Sequence, residues 1–413
     1  MFLEIIGISL IIIGLLAIFM TAFLARFNNN PPKIKRKELK NFCILIPARN
    51  ESKVIEDLLT SIQSQTKKVN MQNVYIIVEN EDDPTNIIAK KYNAKIFIRK
   101  DLHLKSKGYA LNELIKDLDK KKIYYEAYFI LDADNILDKN FIFEMEKSYK
   151  NGYDITIGYR NLKNGNDSVI AACSGITFAF LNTSGNETKS NQTRNITLSG
   201  TGLYISGEYI KKWQSFPFHS LTEDYELSLY SMKHNMTSIY NKDAIFYDEQ
   251  PIIYKNTVNQ RIRWIKGYFE NRKNYIPKFK KILKNNPNAG SLINEISGMR
   301  PYIFMIVGAI LYIANQIITI IKIHDYNNII VKLSLKKLFL IILLAYTLFM
   351  LMTAYVVLKD KDKINLTYKM QIKAIFFSPL FFITYVPCAI KALLKKNVEW
   401  SVVEHTQNWQ DKH

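Results

Sequence analysis

Cysteine and histidine are scarce in this chain. Cys43, Cys173 and Cys388 are the only cysteines in 413 residues and form no Cys-x-x-Cys pair. That argues against a disulfide framework or a cysteine zinc site and fits a reducing compartment. Of the six histidines, His103, His219, His234 and His405 are scattered, and no Ser/His/Asp or Cys/His arrangement accompanies them, so each reads as structural. The charge is +19 with a pI near 9.5, yet no compact basic tract alternates with aromatics. This sets nucleic acid aside as a partner and turns the basic surface toward anionic lipid head groups and a diphosphate substrate. No Lys or Arg precedes the first long apolar stretch, 5–24, and no small-residue cleavage pattern follows it. The stretch therefore reads as a retained transmembrane anchor rather than a signal peptide.

Arg26, Lys33, Lys35, Arg36, Lys37 and Lys40 follow the anchor. By the positive-inside rule they place the next domain in the cytoplasm and the amino terminus outside. Three more apolar segments close the chain, at 302–321, 338–358 and 374–390. The last is short and carries Pro379 and Pro387, which suits either a kinked span or an interfacial helix, so the count stays at three or four spans. The expected division is an anchor over 1–28, a central domain over 29–280, and a transmembrane and interfacial region with a cytoplasmic tail over 281–413. Eight Asn-x-Ser/Thr sequons occur, five of them between Asn166 and Thr197; those five fall in the domain assigned to the cytoplasm, an Asn-rich chain produces such triplets by chance, and they are discounted.

In the middle of the chain, apolar runs alternate with helical patterns, which predicts βαβ units and a mainly parallel sheet. Strands are expected at 42–46, 74–78, 95–99 and 128–131, and Val54, Ile55, Leu58, Leu59 and Ile62 form a helical stripe after the first. In open α/β sheets, ligands bind beyond the carboxyl ends of the strands. Those ends here are Pro47-Ala48-Arg49-Asn50-Glu51, the acidic turn from Glu79 to Thr85, and Asp132-Ala133-Asp134. Residues two apart in an extended chain face the same side, so Asp132 and Asp134 can share one site. Hard divalent cations such as Mg²⁺ or Mn²⁺ take such oxygen ligands together with substrate phosphates. Lys105-Ser106-Lys107-Gly108 suits phosphate contact, although alone it reads as a solvated loop, and Gly200-Thr201-Gly202 alone reads as a turn.

Thr222 is placed to cap a helix whose first turn holds Glu223 and Asp224. An inverting glycosyl transfer needs one general base and no covalent nucleophile, and Asp224 is assigned as that base. Farther on, Val258, Ile262, Ile265 and Phe269 form one apolar stripe at 100° per residue, and Gln260, Arg263 and Trp264 fall on the opposite face. The stripe is expected against protein or the membrane interface, with Gln260, Arg263 and Trp264 aimed at the cleft, where a guanidinium can bind diphosphate and an indole can stack on a sugar. An interfacial helix with an anchoring Trp is the plainer alternative.

Taken in order, these motifs resemble the membrane-integrated family 2 glycosyltransferases, the group that includes cellulose, chitin, hyaluronan and poly-N-acetylglucosamine synthases. The resemblance runs from about residue 41 to 275. It implies a GT-A fold, a Rossmann-like α/β domain with a mainly parallel sheet, cytoplasmic and flanked by N- and C-terminal transmembrane helices. It also implies nucleotide-sugar binding by Pro47, Ala48, Arg49, Glu51, Glu79, Asp83, Lys107, Asp132 and Arg263, although members usually carry Asp where this chain has Glu79. Asp132 and Asp134 match the metal-binding Asp-x-Asp pair, with Asp134 the more direct ligand. Thr222-Glu223-Asp224 implies Asp224 as base and Glu223 near the acceptor, and the Gln-x-x-Arg-Trp match implies acceptor binding by Gln260 and Trp264. Tyr247-Asp248-Glu249-Gln250-Pro251 and the segment from Trp400 to His405 look like one bacterial subgroup, and Trp400, Glu404 and His405 are implied as entrance residues.

The expected activity is metal-dependent, inverting transfer from a nucleotide-diphosphate sugar, with UDP as the nucleotide, to a growing polysaccharide or lipid-linked acceptor at the cell membrane. The alternatives are a single-sugar glycolipid transferase resembling the ceramide glucosyltransferases and a non-catalytic nucleotide-sugar-binding membrane protein. The donor sugar, the acceptor and the oligomeric state stay open.

Overall fold

The computed structural model describes residues 2–25, 31–32, 34–323, 325, 327–395 and 398. The helices, in chain order, are α1 (Phe2–Leu24), α2 (Ile55–Gln63), α3 (Thr85–Lys91), α4 (Lys107–Lys120), α5 (Phe141–Lys150), α6 (Val169–Phe180), α7 (Thr188–Asn191), α8 (Gly207–Trp213), α9 (Glu223–Lys233), α10 (Tyr254–Ile282), α11 (Ala289–Ser297), α12 (Arg300–Ile323), α13 (Ile329–Lys359), α14 (Tyr368–Ile383) and α15 (Tyr385–Leu394). The strands are β1 (Phe42–Pro47), β2 (Val74–Val78), β3 (Lys95–Ile98), β4 (Ala127–Ile130), β5 (Ile136–Leu137), β6 (Ile155–Leu162), β7 (Leu203–Ser206) and β8 (Ser238–Asp248). The described residues form two compact units, one from those up to 25 with those of 276–354, the other from those of 31–275 with those from 355 to 398. Residues 355–395 thus group with the sheet.

The second unit is built on one eight-stranded sheet in the order β3-β2-β1-β4-β7-β6-β8-β5. β3, β2, β1 and β4 run parallel, β7 runs against both of its neighbours, and β8 is parallel to β6. The central strands read as continuous apolar runs because both faces are covered. Ile44, Ile46, Val74, Ile76 and Phe129 join Ile55, Leu58, Leu59 and Ile62 of the α2 stripe in one core, while Cys43, Leu45, Ile77, Tyr128 and Ile130 meet Leu111, Leu114 and Ile115 of α4 in the other. All five residues of the α2 stripe are fully buried, and each such side chain contributes roughly 1.5–3 kcal/mol.

Strand polarity positions the site. β1, β2, β3 and β4 end at one edge of the sheet, and because β7 is reversed, the loop entering it at Gly200–Gly202 lies at that same edge. β6 and β8 also end there, with Leu162 opposite Asp248.

α6 continues into a π-helical segment, Leu181–Glu187. Its polar residues seat on the sheet side: Asn182 Nδ2 donates to Arg160 O at 3.0 Å, and Asn186 exchanges two hydrogen bonds with the Thr197 backbone, each 2.8 Å. α14 packs on α6 through Ala172, Cys173, Ala374 and Phe381. At the bend between α14 and α15, Thr384 Oγ1 accepts from Arg261 Nη1 at 2.7 Å. Arg261 is only 1 % exposed; it also donates to the carbonyl and hydroxyl of Thr257, and its guanidinium lies 4.4 Å from the Phe381 ring centre. Every donor group so paired offsets the cost of burying the charge.

In the first unit α1 and α12 approach closely, since a Cβ on Gly7 would fall 2.7 Å from Gly308 O and one on Gly14 2.6 Å from Pro301 O. Small residues at such positions let helix backbones touch, the packing mode of membrane helices. Glu4 of α1 pairs with Lys337 of α13 at 2.6 Å. Among the described residues, four helices or helix pairs are long and apolar enough to cross a membrane: Phe2–Leu24, Ala289–Ile323, Ile329–Lys359 and Tyr368–Leu394.

Candidate active site

β1 ends at Pro47, and the chain then turns through Ala48, whose N–H donates to Ile77 O at 2.8 Å. Asn50 takes φ 58°, a left-handed conformation that asparagine tolerates. Asp83 fixes this turn: its Oδ2 accepts from Asn50 N and its Oδ1 from Thr85 N, both at 2.9 Å. Asp83 is 4 % exposed with both oxygens engaged, so it braces the loop. Glu51 N donates to Thr85 Oγ1 at 2.9 Å, adding a second tie between the two loops. Arg49 Nε pairs with Glu79 at 3.0 Å, and Arg99 lies 3.9 Å from the other Glu79 oxygen while binding Glu113 at 2.8 Å. Arg49, Glu51, Glu79 and Asp83 thus lie along one rim beyond β1 and β2.

Lys107 opens α4, with Ser106 accepting from Tyr109 N as the cap. Its ammonium pairs with Asp132 Oδ1 and donates to Gly200 O at 2.9 Å. Gly108 permits this position, because a Cβ there would sit 2.1 Å from Phe218 O. The loop that alone reads as a plain turn is therefore a wall of the site: Thr201 Oγ1 accepts from Asp132 N at 2.8 Å and donates to Asn135 Oδ1, and Gly200 and Gly202 take φ 88° and 67°.

Asp132 and Asp134 follow β4 and lie together with a third carboxylate, Asp248 at the end of β8; one oxygen of each falls within 4.8 Å of the others. Asn135 Nδ2 joins them, donating to Asp248 at 3.0 Å and to Asp134 at 3.3 Å. An all-oxygen set of carboxylates is what a hard divalent cation requires, so these residues fit Mg²⁺ or Mn²⁺. Burial opposes the charge of Asp132, but Lys107, with Arg160 and Arg263 behind it, outweighs burial and holds that carboxyl below the usual range. Asp248 is raised by burial, partly offset by Arg160.

Glu223 and Asp224 stand in the first turn of α9. Thr222 is the residue before the helix, but its side chain makes no capping bond, contrary to the sequence expectation. Its hydroxyl and carbonyl instead accept from Asn271 Nδ2 of α10, each at 3.1 Å. Arg263 Nη1 donates to Leu221 O at 2.9 Å, and a Cβ on Gly267 would come 2.4 Å from Thr222 Oγ1. Residues 263, 267 and 271, four apart, are thus the face of α10 that holds this motif. Burial, then the neighbouring Asp224, pushes Glu223 up to about 7, and burial raises Asp224. Lys107, Arg160 and Arg263 act on both Asp132 and Asp224, and a Cβ on Gly200 would lie 3.7 Å from Asp224 Oδ2. The paired aspartates and the expected base therefore border one crevice.

Val258, Ile262 and Ile265 of the α10 apolar stripe pack with Cys388 and Ala392 of α15. Across the helix, Gln260 and Trp264 are half-buried, and Trp264 meets the Phe178 ring edge-on at 5.7 Å. Trp400, Glu404 and His405 lie outside the described residues. The sequence reading missed Asn135, Arg160, Phe178 and a role for Asp248. The Tyr-Asp-Glu-Gln-Pro run at the end of a strand was the one available signal for the last.

A family profile described as Glycosyltransferase like family 2 matches residues 40–267. A poly-beta-1,6-N-acetyl-D-glucosamine synthase of Staphylococcus aureus (strain COL) is 26% identical over 273 residues, covering 63% of this chain and 62% of that protein. The probable glycosyltransferase YdaM of Bacillus subtilis (strain 168) is 26% identical over 266 residues, covering 58% of this chain and 59% of its own length. The matched region thus spans less than two thirds of these curated relatives. Among solved structures, the mannosyltransferase PcManGT from Pyrobaculum calidifontis, in complex with GDP-Man and Mn²⁺, superposes with a TM-score of 0.55 at 12% identity, over 96% of this chain and 100% of that one. At that identity the likeness concerns the fold.

Proposed function

The chain belongs to glycosyltransferase family 2, and from that premise we propose that it transfers a sugar from a UDP-sugar, with inversion and with Mg²⁺ or Mn²⁺ bound, to a growing polysaccharide or lipid-linked acceptor at the cytoplasmic face of the cell membrane. The observation that carries this reading is the shared crevice: Lys107 bridges Asp132 and Gly200 O, and the Gly200 loop runs along Asp224. Asp132 and Asp134 would hold the cation, which supplies positive charge to the leaving diphosphate. Asp224 takes the proton from the acceptor hydroxyl as its oxygen bonds the anomeric carbon and the bond from that carbon to the diphosphate breaks. Arg263, whose charge acts on Asp132 and Asp224, binds the diphosphate, while Gln260 and Trp264 line the acceptor side. Glu79 and Arg49 form the nucleotide rim.

UDP release from UDP-glucose, UDP-N-acetylglucosamine, UDP-galactose and UDP-glucuronate, with and without Mn²⁺, tests the reading. Turnover of none of them, in a preparation that binds UDP, would overturn it. Product length separates a polymer from a one-sugar glycolipid.

The acid limb of the pH–rate profile should belong to the Glu223/Asp224 pair, since adjacent carboxyls titrate together. A base works unprotonated, so transfer should be full above the pair's raised range and fall as the pH drops through it. Glu223→Gln removes one of the two like charges and should move the limb to lower pH; an unmoved limb would detach it from this pair.

The loop after α13 supports a membrane topology in which it lies on the cytoplasmic side. Asp360 accepts from Tyr159 Oη at 3.0 Å and Thr183 Oγ1 at 2.7 Å, and Asn365 Nδ2 donates to Leu162 O at 2.8 Å. The loop therefore docks on β6 and shares the side of the catalytic sheet. A cysteine at the exposed Lys361 should react with an impermeant maleimide only when the cytoplasmic face is open. Labelling in intact cells would contradict the arrangement.

A further inference from the structure

Arg160 belongs to none of the motifs, yet three parts of the crevice converge on it. Its Nη2 donates to Asp248 Oδ2 at 2.6 Å, and Asp248 Oδ1 accepts from Asn135, the residue that also bonds Asp134 and the Asp132 backbone. Its Nη1 donates to Ser199 O at 2.7 Å, next to the glycine that borders Asp224. Its guanidinium lies 3.8 Å from the centre of the Phe178 ring, which also meets the Trp264 indole at 5.7 Å and 79°. Phe178 is 7 % exposed, so it serves as an internal spacer rather than a sugar-binding surface.

We infer that Arg160 is a positioning residue that sets the Trp264 acceptor platform in register with the Asp132 and Asp134 carboxylates, with Phe178 as the link to the indole and Asp248 with Asn135 as the link to the aspartates. This rests on the reading of the crevice as a sugar-transfer site and adds a residue that couples its two halves. The chemistry favours arginine specifically. Its planar fork serves two acceptors at once while its face stacks on an aromatic ring, and a lysine in its place keeps the charge but loses both the second directed bond and the flat surface. A residue that merely neutralised Asp248 would tolerate that exchange.

Arg160→Lys, Phe178→Leu and Phe178→Tyr in the full chain, purified in detergent, test the inference. Mn²⁺ binding in the presence of UDP, followed by electron paramagnetic resonance, should weaken about tenfold in Arg160→Lys, as expected for removing an outer-shell partner of a metal ligand. With an N-acetylglucosamine oligosaccharide as acceptor, Phe178→Leu should raise the acceptor KM several-fold with kcat less affected, and Phe178→Tyr, which keeps the ring, should stay near wild type. Thermal unfolding of each variant identifies any loss of fold, and Phe178→Tyr then carries the comparison. Wild-type Mn²⁺ affinity in Arg160→Lys overturns the inference, as does equal loss in Phe178→Leu and Phe178→Tyr. If the wild-type protein binds Mn²⁺ and UDP but turns over no donor, the transferase reading fails separately, and the Mn²⁺ arm still decides whether Arg160 orders the carboxylates.

Discussion

Asp224→Asn should lower sugar transfer by about 10²–10⁴-fold, the contribution of a positioned general base, while UDP and Mn²⁺ binding persist. The substitution is nearly isosteric, and the amide can still accept the hydrogen bond that Tyr225 N now gives to Asp224 Oδ1 at 2.8 Å, so the first turn of α9 should stand. What is lost is the basic oxygen beside the Gly200 loop. The metal carboxylates are on different elements, the turn after β4 and the end of β8, and the donor site should be intact. The measurement is transfer and donor binding in parallel: kcat down by orders of magnitude with UDP affinity within a few-fold. Substantial turnover in Asp224→Asn would remove Asp224 from the role of base and turn attention to Glu223, its partner in the same titration. The acid limb of the pH profile should disappear with it, because no group of the pair then needs to lose a proton for the residual reaction.

Much of this site is legible in the amino-acid sequence, for a physical reason. Motifs at strand ends are local: the apolar run fixes the strand, the strand fixes which way alternate residues point, and parallel strands gather their carboxyl ends at one edge. Asp132 and Asp134 can therefore be grouped from periodicity, while Lys107 and Asp224, which open helices, join them through the resemblance to the family 2 glycosyltransferases. The parts that escape depend on pairings that local patterns do not encode. β7 runs against its neighbours, and only that reversal brings Gly200–Gly202 to the functional edge. Asp248 reaches the site because β8 pairs in parallel with β6, a strand far from it in the chain, and Arg160 meets it through the same register. Thr222 reads as a cap because its type and place suit one, but its hydroxyl is held by Asn271 across the interface with α10, a tertiary contact that overrides the local preference. The apolar segment at 374–390 gives no sign that a buried arginine, Arg261, fastens its bend to α10.

Removal of the divalent cation, or Asp134→Ala, should abolish transfer to a similar extent, about 10³-fold, because several kcal/mol of charge stabilisation at the departing diphosphate go with it. Asp132 and Asp134 are not equivalent in this respect. Asp132 is already partnered by Lys107, and its backbone N–H is tied to Thr201 and Asn135, so its replacement would also free an ammonium and loosen the turn. Asp134 accepts a longer bond, 3.3 Å, from Asn135 Nδ2, and its loss should be felt through the cation with less disturbance of the turn. A chelator titration followed by Mn²⁺ restoration separates the two effects. The wild type should regain full rate, Asp134→Ala should need far more Mn²⁺ or fail to respond, and Asn135→Ala, which removes the bond that aims Asp134, should bind the metal roughly 10–100-fold more weakly and fall between them. Transfer by chelated wild type at an undiminished rate would mean that Lys107 and Arg263 carry the diphosphate charge unaided, and the three clustered carboxylates would then be a structural knot rather than a metal seat.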